Sequence, residues 1–264
     1  MAEVSSFTQP DSSPAYFVDF LDFLDKLPDV KRVRAAAEAQ MRLKPGDKAL
    51  DLGCGIGGAV FRIAEIVTGP TGLAAGVDIS EALVKEAQRR AATRPELEFR
   101  TGDACALPYP DHFFDATRSE RVFLYLPDRL GAIREMMRVT KPGGRVLVMD
   151  TDVDCTAIHS SNPALTRKMT SLMAASLPNP QSARELPSLA KRAGLKEINV
   201  ETLAVATPHS FLQLAMTDSL YKCAERGLAS REEVDEFFAG QAALEAQGDF
   251  FQMWFFALVA GTVE

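Results

Sequence analysis

The residues best able to do chemistry in this chain are acids and glycines at strand ends. Ala49-Leu50-Asp51-Leu52-Gly53-Cys54-Gly55-Ile56-Gly57-Gly58 closes an apolar run and opens a helical one. Glycines there let the backbone turn tightly and let a ligand approach the main chain with no Cβ in the way. Gly53, Gly55 and Gly58 also satisfy G-x-G-x-x-G, so by spacing alone a nicotinamide or flavin dinucleotide is admissible. Asp51 favours a different ligand, because a carboxylate two residues before the first glycine repels a pyrophosphate in a partly dry site and attracts a cation. S-adenosylmethionine carries an ammonium and a sulfonium and no phosphate, and so has the matching sign. Asp78, in Gly76-Val77-Asp78-Ile79, is placed to accept from both hydroxyls of a ribose. Asp103, in Gly102-Asp103-Ala104, is placed to accept from an adenine amino group, with Ile79, Ala104 and Leu107 against the ring faces. A lone Asp at a strand end is often only a helix cap. Three acids, each one strand apart, together with the glycines make one constellation.

The elements that must position these residues follow from periodicity. From Lys48 to Asp150 short β-branched or apolar runs alternate with helical stretches, the pattern of a parallel sheet wound with helices. Strands are predicted at Lys48–Leu52, Leu73–Asp78, Leu97–Gly102, Phe114–Ser119 and Arg145–Asp150, and helices at about Gly58–Val67, Glu81–Thr93 and Arg129–Val139. Thr151 to Gln181 reads as a long polar insertion, followed by a helix at about Ala183–Ala193 and a sixth strand at Ile198–Ala206. Helices at about Phe211–Arg226 and Arg231–Ala246 precede a seventh strand in Phe251–Ala260. Upstream, Phe17, Phe20, Leu21, Leu24 and Leu27 recur at helical spacing, giving an amphipathic helix that needs a surface, and a second helix spans about Val30–Arg42. The expected organisation is an N-terminal helical lid over residues 1–43 and a catalytic domain over 44–264, with cap insertions at about 151–182 and 208–248.

Composition narrows the partners. In 264 residues, 47% hydrophobic and 25% charged content fits a folded chain and excludes disorder. The net charge of −7 repels phosphate backbones and anionic lipid, so neither nucleic acid nor membrane is an expected partner. Cys54, Cys105, Cys155 and Cys223 are far apart, which supports neither a disulfide framework nor structural zinc and suits a cytoplasmic setting. The first 14 residues lack a basic start and an apolar core, and no run is long enough to span a bilayer.

Asp51-Leu52-Gly53-Cys54-Gly55-Ile56-Gly57, Asp78, Gly102-Asp103-Ala104 and Lys141-Pro142-Gly143-Gly144 resemble the successive motifs of class I S-adenosylmethionine-dependent methyltransferases. Pro108…Phe113-Phe114-Asp115 and Leu130…Arg134-Glu135…Arg138-Val139 make the chain similar to the branch holding quinone-biosynthesis C-methyltransferases and many small-molecule methyltransferases. The resemblance covers about Lys44 to Asp150. It implies an α/β, Rossmann-like, seven-stranded, mostly parallel sheet with an antiparallel last strand and helices on both faces. It implies backbone contacts from Gly53, Gly55 and Gly57 to the methionine part of S-adenosylmethionine, Asp78 at the ribose, Asp103 with Ala104 at adenine, and Ser119 beside the methyl donor; Cys54 and Ile79 are expected among the cofactor-binding residues as well. Tyr16, at the start of the first helix, is expected to close over the cofactor.

Methyl transfer is an in-line displacement that depends mainly on alignment and exclusion of water. A phenolic or enol-like acceptor benefits from a base. His112 is expected at a solvent-facing turn and His209 at a helix start, which leaves His159, in the 151–181 insertion, as the candidate. Many members of the resembled family carry a histidine where this chain has Tyr125, the second candidate catalytic residue. Glu120 and Arg121 follow the fourth strand and are placed either to touch substrate or to form surface ion pairs. Asp150, Asp152 and Asp154 alternate ahead of His159 and raise a magnesium or calcium site, but carboxylates with no other ligand are more often solvated, so no metal is expected. The expected activity is transfer of a methyl group to a small, apolar or aromatic metabolite. The alternatives are a cyclisation or rearrangement that keeps the cofactor intact, and a non-catalytic adenosyl-ligand sensor.

Overall fold

The computed structural model describes residues 13–264. The portion of the expected lid at residues 1–12 lies outside the described residues. Two helices, α1 (Pro14–Leu24) and α2 (Pro28–Met41), precede β1 (Lys48–Leu52), α3 (Gly58–Ile66), β2 (Leu73–Asp78), α4 (Glu81–Ala91) and β3 (Leu97–Thr101). The chain continues through β4 (Phe114–Glu120), α5 (Arg129–Val139), β5 (Thr140–Ile158), α6 (Pro163–Ala175), α7 (Ser182–Ala193), β6 (Lys196–Ala206), α8 (His209–Glu225), α9 (Arg231–Gln247) and β7 (Gln252–Thr262). The strands form one seven-stranded sheet in the order β3-β2-β1-β4-β5-β7-β6. Strand β7 runs antiparallel between β5 and β6, and the neighbours from β3 to β5 are parallel. The strand order reverses between β1 and β4, which opens a crevice at their carboxyl ends, the usual place for a ligand in an open α/β sheet.

Local sequence explains the punctuation. Ser80 caps α4 by accepting from Leu83 N–H, Asp128 caps α5 through Gly131 N–H, and Ser230 with Glu233 makes a reciprocal capping box on α9. The buried central strands read as near-continuous apolar runs, as sheets covered on both faces do.

The largest departure from the sequence reading is β5. Expected over Arg145–Asp150, it continues to Ile158 because β7 supplies a partner as far as the Ile158–Gln252 pair, past an irregularity between Asp152 and Ala157. Part of the predicted polar insertion is therefore strand, and another part is α6, capped by Asn162 and burying Thr166, Met169, Met173 and Ala174. The three alternating acids go to separate partners. Asp150 accepts from Leu124 N–H, Thr151 N–H and Ser182 Oγ, Asp152 pairs with Arg184, and Asp154 accepts from Gln181 Nε2. Among the described residues no three His, Cys, Asp or Glu gather as metal ligands. No helix among them is long and apolar enough to cross a membrane.

Ser119 is not at the cofactor crevice. It is fully buried, and its hydroxyl donates to the Leu52 carbonyl at 2.9 Å, bracing β4 against β1. Ser119→Ala is expected to cost about 1 kcal/mol of stability, read by urea unfolding, and to leave cofactor affinity unchanged.

Candidate active site

A cavity of about 420 Å³ sits over the carboxyl ends of β1, β2 and β4. Its floor is Asp51 to Gly55, its flank Asp78, Ile79, Asp103 and Ala104, and its roof the apolar stripe of α1, with Phe17, Phe20, Leu21 and Leu24. The sequence-predicted Asp51, Gly53, Cys54, Gly55, Asp78, Ile79, Asp103, Ala104 and Tyr125 all line it. Gly57, Ser119, Tyr16 and His159 do not.

Each exclusion has a physical reason. Gly57 has a φ of 87°, and a Cβ there would fall 2.7 Å from the Phe99 ring, so it is required for packing beneath the loop. The Tyr16 hydroxyl donates to the Leu214 carbonyl at 2.6 Å, which ties α1 to α8. His159 is exposed just beyond β5, with its N–H on the Phe251 carbonyl at 2.9 Å. Each extra strand residue adds about 3.3 Å, so the lengthened β5 carries His159 away from the strand ends. Among the described residues no histidine lines the cavity. Burial also pushes the Tyr125 phenol well above its ordinary value, so Tyr125 is a hydrogen-bond donor at neutral pH and not a base.

The glycine loop is shaped by close approach. A Cβ at Gly53 would lie 2.1 Å from Val122 Cγ2, and one at Gly55 would lie 2.8 Å from Leu21 Cδ1 on α1. Its amides are already committed. Gly53 and Cys54 N–H donate to the Val77 carbonyl, Gly57 N–H to the Cys54 carbonyl, and Gly55 N–H to Asp78 Oδ2 at 2.8 Å. An anion-binding loop needs free amides pointing at the phosphate, and these four are taken.

Charge gives the same sign. Five ionised residues form a chain along the cavity wall: Asp25, Arg34, Glu120, Arg118 and Asp51. Arg34 Nε bonds both Glu120 oxygens at 2.8 and 3.0 Å and its Nη1 bonds Asp25. Arg118, fully buried, bonds Glu120 at 2.6 Å and reaches Asp51 only at 3.3 Å. Three carboxylates against two guanidiniums leave one negative charge. Burial alone would raise Glu120, but Arg34 and Arg118 hold it at about 2. Asp51 is raised by burial to about 6 despite Arg118, and its Oδ1 has no hydrogen-bond partner. The uncompensated charge of the network thus rests on a buried carboxylate facing the cavity, which fits a cationic ligand and not a diphosphate.

Sequence reasoning missed Asp25, Arg34 and Arg118. A signal was present in β4, where Arg118 interrupts a strand too buried to hold a charge without partners.

Comparison with known proteins agrees with this geometry. Residues 50–148 match the family model described as a methyltransferase domain. The chain is 38% identical over 111 residues to a demethylmenaquinone methyltransferase of Lysinibacillus sphaericus, covering 42% of this chain and 47% of that one. It is 40% identical over 110 residues to a 2-phytyl-1,4-naphtoquinone methyltransferase of Synechococcus elongatus, covering 40% and 47%. The chain thus spans about half the length of the curated relatives it matches. Among solved structures it resembles the YcgJ protein of Bacillus subtilis, with a TM-score of 0.62 at 18% identity over 89% of this chain and 99% of that one. It also resembles the [4+2]-cyclase SpnF, with a TM-score of 0.56 at 25% identity over 88% and 81%. Over residues 50–148 the chain carries a methyltransferase domain, and its fold is the seven-stranded sheet seen in the solved structures it resembles. Over the matched segment its similarity is to the quinone C-methyltransferases named above.

Proposed function

We propose that the protein transfers a methyl group from S-adenosylmethionine to a small, apolar or aromatic acceptor. The observation that carries this reading is Asp51, a carboxylate at the floor of the cavity that burial holds above its ordinary range although Arg118 stands 3.3 Å away, beside a loop with four of its amides already bonded. The bound donor supplies an electrophilic methyl on a sulfonium whose sulfur leaves as a neutral thioether. The chain's own residues bind, align and exclude water. Asp51 takes the ammonium. Asp78 accepts from the ribose hydroxyls, and Asp103 accepts from adenine above Ala104. Ile79, 68% exposed beside Asp78, is apolar surface that an adenine ring would cover. Helices α1 and α2 act as the lid, with Phe17, Phe20, Leu21 and Leu24 keeping water from the reacting atoms.

The raised Asp51 carboxyl sets a pH dependence. A cationic ligand favours ionised Asp51, so affinity is lost as pH falls through about 6. Adenosylhomocysteine, which keeps the ammonium, is expected to bind about tenfold more weakly at pH 5 than at pH 7, and Asp51→Asn to flatten the profile. The stability of the free protein runs the other way. Proton uptake by Asp51 stabilises the fold fully below the ordinary value of 3.8, and this is lost as pH rises through about 6.

The test of activity is transfer of labelled methyl to a panel of phenols, quinols and amines. A labelled product supports the reading. The likeness to a [4+2]-cyclase at 25% identity favours one second reading, rearrangement with the cofactor retained. Acceptor consumed with the label still on the donor would establish it.

A further inference from the structure

Arg121, the residue after β4, has a φ of 56°, in the left-handed region that side chains avoid and that concentrates at functional sites. Its N–H donates to the Met149 carbonyl at 2.9 Å, which fixes the turn. The side chain lines the main cavity and also two small voids of about 20 Å³ behind it. Among the described residues the guanidinium has no ion pair and no hydrogen bond, and its Nε is buried. The nearest acids are spoken for. Glu120 is held by Arg34 and Arg118, and Asp150 by Leu124 N–H, Thr151 N–H and Ser182 Oγ. The close contact Arg121 does make is with the Phe20 ring face, 5.4 Å from the centroid. A guanidinium in this position, acted on by Asp150 only from a distance and with no bonded counter-ion, is costly. The open space beside it is the acceptor side of the cavity.

We propose that Arg121 selects the methyl acceptor by binding an anionic oxygen, a carboxylate or an ionised phenol, on an otherwise apolar body. This rests on the methyltransferase reading above. The planar fork suits two hydrogen bonds to the oxygen pair of a carboxylate, or to the single oxygen of a phenolate. An acceptor already ionised on binding also explains why no histidine base lines the cavity.

Probe binding in the main cavity is read by calorimetry. Protein saturated with adenosylhomocysteine would be titrated with 2-naphthoate, with 2-naphthol and with 2-methoxynaphthalene, for wild type, Arg121→Met and Arg121→Gly. The glycine variant relieves the left-handed backbone and so guards against misfolding. In wild type, naphthoate or naphthol is expected to bind at least about tenfold tighter than the methoxy compound, and both variants to lose that preference. A lead for naphthoate alone identifies a carboxylate, and a lead that grows with pH for naphthol identifies a phenolate. Equal binding of all three probes, no binding of any, or a preference that survives in both variants overturns the proposal. Adenosylhomocysteine affinity, read by calorimetry in the same samples, tests the methyltransferase reading separately. Its retention with lost probe preference supports Arg121, and its absence in wild type defeats the underlying reading instead.

Discussion

Asp78→Ala is expected to weaken adenosylhomocysteine binding by about a hundredfold. Asp78 Oδ2 accepts from Gly55 N–H at 2.8 Å and Oδ1 from Ser80 N–H at 2.9 Å, so the carboxylate is already aligned at the tip of β2. Each charge-assisted bond from this carboxylate to a ribose hydroxyl contributes about 1.5–3 kcal/mol. Losing two removes about 3 kcal/mol, with a further contribution from freeing the Gly55 amide. Asp78→Asn keeps one acceptor oxygen and is expected to lose about tenfold. Helix α4 stays capped in both variants, because Ser80 Oγ makes that bond independently to Leu83 N–H. Calorimetry decides, and an affinity within twofold of wild type for the alanine variant removes Asp78 from the site.

The largest stability effect is expected at Arg118. It is 0% exposed and stands between Asp51 and Glu120. Arg118→Met keeps much of the volume but leaves two buried carboxylates with Arg34 bonded to one of them and Arg62 at longer range, a loss of about 3–5 kcal/mol at neutral pH. The deficit has a sign in pH. Without the cation both carboxyls titrate higher in the folded state, so proton uptake restores stability in acid and the deficit grows as pH rises through about 6 and above. Urea midpoints at pH 5.5 and 7.5 measure it. A loss below about 1 kcal/mol, or one that is the same at both pH values, contradicts the charge network.

The first half of the chain was legible because its signals are local. Strands β1, β2 and β4 and helix α5 begin where the sequence placed them, each bounded by glycine, proline or a capping residue in its own segment. That Asp51, Asp78 and Asp103 line one crevice was legible for the same reason, since each lies in or just after a parallel strand of the same sheet. The misreadings involve partners distant in sequence. How far β5 runs depends on β7, whose Gln252 pairs with Ile158, and nothing within residues 151–158 reveals that. His159 was misplaced as a consequence. Ser119 sits at the strand end expected of a donor contact, yet the alternation of the strand turns it toward Leu52. The chain of ion pairs from Asp25 to Asp51 joins α1, α2, β4 and β1, so each member read alone looks like a solvated charge.

The most direct measurement is a calorimetric titration at pH 7.5 of the full chain with adenosylhomocysteine and, in parallel, with NADH. A cation-seeking cavity with its loop amides occupied binds the thioether nucleoside and ignores the dinucleotide. NADH binding with no heat from adenosylhomocysteine would contradict the assignment of Asp51 and with it the methyltransferase reading.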